Sequence, residues 1–211
     1  MNKYYSQNRL QGLKKISDAF KKLKINFTIF DGALLGFIRD EKLIEWDWDA
    51  EIALEYKEYR NNLLNILKEL DNCRLRKLIL NPNIKNSKIS IITPKTKFGD
   101  FKYTITPYMI SKDKKIIYRD LYQYPSEYIL KLKEIKIDNY YFPIPQNARD
   151  LLILQYGKGW STPLKSTKKN EYLNRDIYTK SNNRLNQFII YLFQIIYKIR
   201  KIIKKFILNL I

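Results

Sequence analysis

The sequence contains no histidine and only one cysteine, Cys73. Without histidine there is no Ser-His-Asp or Cys-His nucleophile system, no imidazole-ligated zinc site, and no imidazole acid or base. A lone cysteine permits no disulfide within the chain, and Cys73 is expected to be inert. Acidic side chains are scarce, 21 against 40 Lys and Arg, and no apolar run reaches the roughly 20 residues that span a bilayer. Residues 1–22 are polar and lack the apolar stretch of a secretory signal, so a cytoplasmic protein is expected. Catalysis, if there is any, is confined to carboxylates, Lys, Arg, Tyr and a hard metal ion.

What is present argues for a packed domain. The 211 residues are 45% hydrophobic and include 17 Tyr and 10 Phe, enough for one self-supporting core plus an appendage. Residues 1–180 read as the catalytic domain and residues 184–211 as a separate C-terminal element. The net charge of +19 favours anionic partners, whether nucleic acid, phosphorylated metabolite or acidic lipid. In the C-terminal element an apolar stretch, Phe188 to Ile196, is followed by Ile199, Ile202, Ile203 and Phe206 alternating with Lys198, Arg200, Lys201, Lys204 and Lys205. That pattern predicts an amphipathic basic helix, suited to an anionic membrane surface or to docking on the core or a second subunit.

Along the chain, Leu10, Leu13, Ile16 and Phe20 recur at helical spacing, and Asn26 to Phe30 is a short β-prone run ending in an Asp31-Gly32 turn signal. Ala33 to Arg39 predicts one or two helical turns. From Glu45 to Leu54 the residues alternate strictly, which predicts a half-buried strand with Trp46, Trp48, Ala50 and Ile52 on the core face and Asp47, Asp49 and Glu51 on the other. A helix is expected over residues 57–70, and strands over 74–80, 88–93, 101–110 and 116–119. Residues 135–145 should be extended because two prolines resist helix, and a helix from 147 to 155 should end at Tyr156-Gly157.

The chemistry concentrates in residues 31–51. Two carboxylates two residues apart on a strand, Asp47 and Asp49, leave the same face about 6 to 7 Å apart. They repel one another unless a cation lies between them, and their hard oxygens suit Mg²⁺ or Mn²⁺. Upstream, Gly32 precedes a short helix, followed by Gly36 and Arg39. Glycine admits close approach of a phosphate, a helix N-terminus offers N–H groups, and arginine forks onto phosphate oxygens. A glycine turn, a spacer and Asp-x-Asp together form a nucleotidyltransferase pattern.

The stretch DGALLGFIRDEKLIEWDWDAEIAL, residues 31–54, resembles the signature of the LicD family, which includes fukutin and fukutin-related protein. A second segment, FPIPQNARDLLILQYGKGWSTP (residues 142–163), is similar to the family's Pro-rich strand, helix and Tyr-Gly element. The resemblance spans roughly residues 10 to 165. It implies an α/β (α+β) nucleotidyltransferase-like fold, a mixed sheet flanked by helices. It also implies transfer of a phospho-alcohol, such as phosphocholine or ribitol phosphate, from a CDP-linked donor to a hydroxyl of a cell-surface glycan or its lipid-linked precursor, as in polysaccharide, lipopolysaccharide or capsule modification.

Carried over by position, Asp47 and Asp49 would be catalytic metal ligands, and Asp31, Gly32, Gly36 and Arg39 would bind the donor, with Tyr156, Gly157 and Trp160 walling its pocket. The chain departs from the family at one point. The third acid expected before a Pro-aromatic pair falls on Thr104, leaving Glu51 or Asp100 as the candidate third ligand. Two other readings stay open on sequence alone: a nucleotidyltransferase moving NMP from an NTP to a small molecule, and a non-catalytic basic protein. No motif for specific nucleic-acid recognition is present. The expected location is the inner face of the cell membrane, held peripherally by the C-terminal helix.

Overall fold

The computed structural model describes residues 3–69, 73–79, 88–94, 102–119 and 122–165. The predicted C-terminal helix over 184–211 and Asp100 lie outside the described residues.

Helix α1 (Lys3–Lys22) leads into strand β1 (Phe27–Phe30) and helix α2 (Asp31–Asp40). Strand β2 (Asp49–Glu55) and helix α3 (Tyr56–Glu69) follow, then β3 (Cys73–Ile79), β4 (Lys88–Pro94), β5 (Lys102–Ile110), β6 (Ile116–Arg119) and β7 (Tyr122–Pro125). The described chain ends with α4 (Glu127–Leu130), β8 (Leu132–Ile137), β9 (Tyr140–Pro145) and α5 (Ala148–Tyr156). Seven strands form one mixed sheet ordered β1-β2-β5-β4-β3, with β6 and β7 continuing from the far end of β5. Among the described strands only β2 and β5 run parallel, Glu51 lying opposite Thr104, and α3, β3 and β4 lie between them in the chain. The architecture is the mixed α+β sheet with flanking helices expected from sequence.

Strand β2 lies between β1 and β5 and is covered on both faces, so Ala50, Ile52, Ala53 and Leu54 are all fully buried. This is the burial of a central strand rather than of one with a wet face. Helix α1 contributes Leu13, Ile16 and Phe20, the predicted apolar stripe, to the same core. At Gly12 an added Cβ would overlap the hydroxyl of Tyr103, which is buried and donates to the Arg9 carbonyl at 2.7 Å. Helix and sheet therefore meet closely enough there to require glycine.

Several expectations are corrected. The strand predicted from Glu45 starts only at Asp49, because pairing with β5 begins at Asp49 opposite Lys102 and pairing with β1 stops at Glu51 opposite Phe30. Residues 44–47 instead form a turn in which the Asp47 N–H donates to the Ile44 carbonyl. Period-two alternation has no sheet to act on there, and Trp46 and Trp48, expected in the core, are 40% and 59% exposed. Asp31-Gly32, read as a turn, opens α2, which runs ten residues rather than one or two turns. The extended segment over 135–145 belongs to a hairpin that reverses at Asp138 and Asn139, both with positive φ (47° and 59°), a conformation these residue types tolerate best after glycine. Strand β7 and helix α4 were not foreseen.

Candidate active site

The end of β1, the start of α2, the turn before β2, and the first half of β2 beside β5 meet at one place. The Glu51 carboxylate accepts the Ala33 N–H at 3.1 Å, so the first turn of α2 is fastened to β2 by a backbone donor. Gly32 stands between the acids. A Cβ there would fall on Asp47 Oδ2 and lie 3.5 Å from both Glu51 oxygens. Glycine is thus what allows Asp47 and Glu51 to approach the helix N-terminus together.

Asp49, nearly buried, takes a different partner. Its Oδ2 accepts the Thr104 hydroxyl at 2.6 Å across the β2–β5 pairing. Thr104, where an acid was expected, is therefore inside the site, and it supplies a donor where a carboxylate would have supplied a ligand. Burial pushes the Glu51 carboxyl well above the usual carboxylate range, and the charges of Asp49, Asp47 and Asp31 push it the same way, against the Ala33 N–H. Asp47 is raised as well, first by burial, with N–H groups of Trp48 and Asp49 and the charge of Arg9 opposing. The site is a concentration of negative charge that the protein only partly compensates.

Asp31 adopts φ 45°, a left-handed conformation uncommon for a non-glycine residue. Its carboxylate is held on both oxygens, Oδ2 by the Arg119 guanidinium and Oδ1 by Gln155 Nε2 at 2.9 Å. Arg119 in turn lies over the Phe30 ring, 4.5 Å from its centroid. The clamp joins β6 and α5 to the residue that starts α2. Arg9, buried in α1, braces the opposite side by donating through Nη1 to the carbonyls of Ile44 at 3.1 Å and Glu45 at 3.3 Å. Sequence reasoning missed Arg9, Arg119 and Gln155. Nothing in one sequence marks a helical arginine as a partner of residues 35 and 36 positions away, or a glutamine before Tyr-Gly as a partner of one 124 positions away.

The other candidates fall elsewhere. Gly36 lies a turn into α2, where a Cβ would press on the Lys42 carbonyl at 2.5 Å, so it serves the packing of the following loop against the helix. Arg39, near the end of α2, has Nε and Nη2 paired with the Asp40 carboxylate at 2.8 and 2.7 Å, and its side chain is 7% exposed. Seven residues of helix separate it from Gly32, roughly 10 Å along the axis. Gly157, at φ 80°, ends α5 with its N–H on the Ile153 carbonyl at 2.8 Å. Tyr156 and Trp160 pack half-buried against the core.

Among the described residues, no group of three or more Asp, Glu, His or Cys side chains is gathered closely enough to hold a metal ion unaided. The donor set is nonetheless of the right kind: Asp47 and Glu51 both bring hard oxygens to Gly32, and their raised proton affinity is what a bound cation would reverse. No helix among the described residues is long and apolar enough to cross a membrane.

The solved structures similar to this chain include a lincosamide antibiotic adenylyltransferase, LnuA, with lincomycin bound (13% identity, TM-score 0.45, covering 67% of this chain and 83% of that one). Another is ANT(2")-Ia in complex with adenylyl-2"-tobramycin (13% identity, TM-score 0.45, covering 66% and 70%). At that level of similarity they assign no activity. No curated protein gives a significant match. The family described as LicD/FKTN/FKRP, nucleotidyltransferase domain, matches residues 24–147, which takes in β1, the glycine at the head of α2, all three acids from Asp47 to Glu51, and Thr104. On that match, which covers more than half of its length, the chain belongs to the LicD family.

Proposed function

We propose that the protein transfers a phospho-alcohol group from a CDP-linked donor to a hydroxyl of a glycan or lipid-linked glycan. The observation that carries the reading is the convergence of Asp47 and Glu51 on Gly32 at the head of α2, in a chain of the LicD family. Free N–H groups at a helix start favour phosphate oxygens. Asp47 and Glu51, with Asp49 behind them, would hold Mg²⁺ or Mn²⁺. Two protein carboxylates, with phosphate oxygens and water completing the shell, suit magnesium's habit of retaining water and sharing substrate phosphates. Bound there, the ion would supply charge neutralisation at the phosphates.

The residues of the chain then have separable roles. Gly32 leaves the space, Ala33 N–H fixes Glu51, and Arg119 with Gln155 fixes the backbone turn at Asp31. Asp49 is oriented by Thr104, and Asp47, on the turn outside the strand, is the carboxylate best placed to accept a proton from an incoming hydroxyl.

The test is calorimetric titration of CDP-choline, CDP-ribitol, CDP-glycerol and CTP into the protein with Mn²⁺, beside a double variant carrying Asp47→Ala and Asp49→Ala. Metal-dependent binding of one CDP-linked compound, lost in the variant, is expected. Binding of CTP with none of the CDP-linked compounds would replace the proposal with nucleotidyl transfer from a triphosphate.

The C-terminal sequence pattern of basic and apolar residues supports a location. We infer peripheral attachment to an anionic membrane at the cytoplasmic face, worth about 1 kcal/mol per basic residue near the surface. Truncation after Asn183 should abolish sedimentation with phosphatidylglycerol vesicles while donor binding persists. Equal sedimentation of the truncated chain would remove the tail from that role.

A further inference from the structure

Asp47 lies between α2 and β2, before strand pairing begins at Asp49, so no sheet holds its backbone. A run of hydrogen bonds that starts in α1 holds it instead. The buried Arg9 donates through Nη1 to the Ile44 carbonyl at 3.1 Å and to the Glu45 carbonyl at 3.3 Å. The same Ile44 oxygen accepts the Asp47 N–H at 3.2 Å. A carbonyl oxygen has two lone pairs, and here one meets the guanidinium and the other the backbone of Asp47. Beyond that point Oδ1 of Asp47 accepts the Trp48 N–H at 2.9 Å, while Oδ2 is the oxygen that a Cβ on Gly32 would meet.

Arg9 is itself anchored from the sheet. Its carbonyl accepts the Tyr103 hydroxyl at 2.7 Å, and Gly12 admits that ring against the helix. Tyr103 belongs to β5, the strand that also carries Thr104. The guanidinium therefore reaches the turn from a helix tied to the floor of the site. Helix α1 precedes residues 24–147, so Arg9 stands outside the part of the chain that the family matches.

Two influences of Arg9 on a cation at Asp47 have opposite signs. Its charge acts on Asp47, after burial and the Trp48 N–H, and by itself would repel the ion. Its grip on two carbonyls keeps the ligand in place, so that less ordering is left to be done when the ion binds, and groups that orient metal ligands typically contribute about 10- to 100-fold in affinity. Since the turn has no strand pairing to fall back on, placement should outweigh repulsion.

We propose that Arg9 is the positioning residue of the candidate cation site: by holding the Ile44 and Glu45 carbonyls it keeps the Asp47 carboxylate at Gly32, where Glu51 meets it. This rests on the reading of Asp47 and Glu51 as a site for Mg²⁺ or Mn²⁺, and names the residue that sets the place of the ligand lying outside the strand.

The test titrates Mn²⁺ alone into the full chain and follows the free ion by electron paramagnetic resonance, so that donor recognition does not enter. Wild type is compared with Arg9→Met, Arg9→Lys and Tyr103→Phe, all below their melting temperatures, and Asp47→Ala marks the binding that belongs to the site. Arg9→Met should weaken that binding at least about tenfold. Arg9→Lys, whose ammonium keeps the charge and can donate to the same carbonyls, should recover part of the loss. Tyr103→Phe removes a buried hydrogen bond from the same helix and should lower Tm, yet bind Mn²⁺ like the parent because the guanidinium is untouched. Should Arg9→Met fail to fold, weaker binding in Arg9→Lys than in Tyr103→Phe is the expected result.

Tighter binding in Arg9→Met would make Arg9 an electrostatic brake on the ion and overturn the positioning role. Parental affinity in both Arg9 variants, or an equal loss in Tyr103→Phe, would overturn it too and leave Arg9 a residue of the fold alone. A wild type that binds no Mn²⁺, or binds it as well after Asp47→Ala, would remove the cation site and the proposal with it. Arg9-dependent Mn²⁺ binding in a protein that takes none of the CDP-linked compounds would leave this proposal standing and remove the transfer reading.

Discussion

Gly32→Ala should abolish most donor turnover while leaving the protein folded. The added methyl falls on Asp47 Oδ2, the mobile end of a side chain, and stays 3.5 Å from the Glu51 oxygens. The acid can swing away, so the cost to stability is small, under about 1 kcal/mol, and the gain in helix propensity offsets part of it. The cost to the site is not small. Asp47 leaves the position in which it and Glu51 share one face of the α2 N-terminus, and displacement of a reacting group by about 1 Å lowers rates by about 10²-fold. The measurement is release of CMP from the preferred CDP-linked donor, beside a thermal melt. A hundredfold loss with a shift in Tm of less than roughly 3 °C is expected. Loss of activity accompanied by unfolding would show Gly32 to be a packing glycine, and retained activity would show that the carboxylate position is not critical.

The site was legible where local pattern and tertiary structure agree. Asp49 and Glu51 were placed on one strand by alternation, and β2 confirms the strand from Asp49 onward. Alternation carried too far upstream, however, because a sequence does not show where the neighbouring strands stop. That single overextension buried Trp46 and Trp48 on paper and hid an exposed aromatic pair. The glycines were legible as glycines but not by role: Gly32 faces the acids, whereas Gly36, in the same motif, faces the Lys42 backbone. Arg39 shows the same limit. Its charge suggested phosphate, and the next residue in the chain, Asp40, occupies its fork. Thr104 was recognised as a missing acid, and its hydroxyl on Asp49 shows what the substitution does locally. The Asp31–Arg119–Gln155 clamp was illegible, since its members come from three elements separated by 88 and 124 residues and share no period.

Glu51→Gln should make the metal-free protein more stable at pH 8 and little changed at pH 5. The Glu51 carboxyl is raised well above its ordinary value, chiefly by burial and then by Asp49, Asp47 and Asp31. A carboxyl raised in the folded state binds its proton more tightly there than in the unfolded chain. It therefore supports folding below its unfolded value, and that support is lost as pH climbs through the folded value. Wild-type protein at pH 8 must carry the charge, or a proton taken from solution, in a site already holding neighbouring acids. Glutamine is neutral at both pH values and still offers an oxygen to the Ala33 N–H, which Glu51 accepts at 3.1 Å. The variant is compared with wild type at each pH, which cancels the titration of groups remote from Glu51, while the relief of the acids that interact with it is part of the effect. A gain of about 1 to 2 kcal/mol at pH 8 corresponds to roughly 2 to 8 °C in Tm for a chain of this size. Mn²⁺ should raise the wild-type Tm at pH 8 and raise that of the variant less, since one of the two carboxylates flanking Gly32 no longer carries charge. A variant less stable than wild type at both pH values would mean that the charged form of Glu51, bound to the head of α2, holds the fold together. In that case the acids would be a structural lock rather than a cation site awaiting its ion.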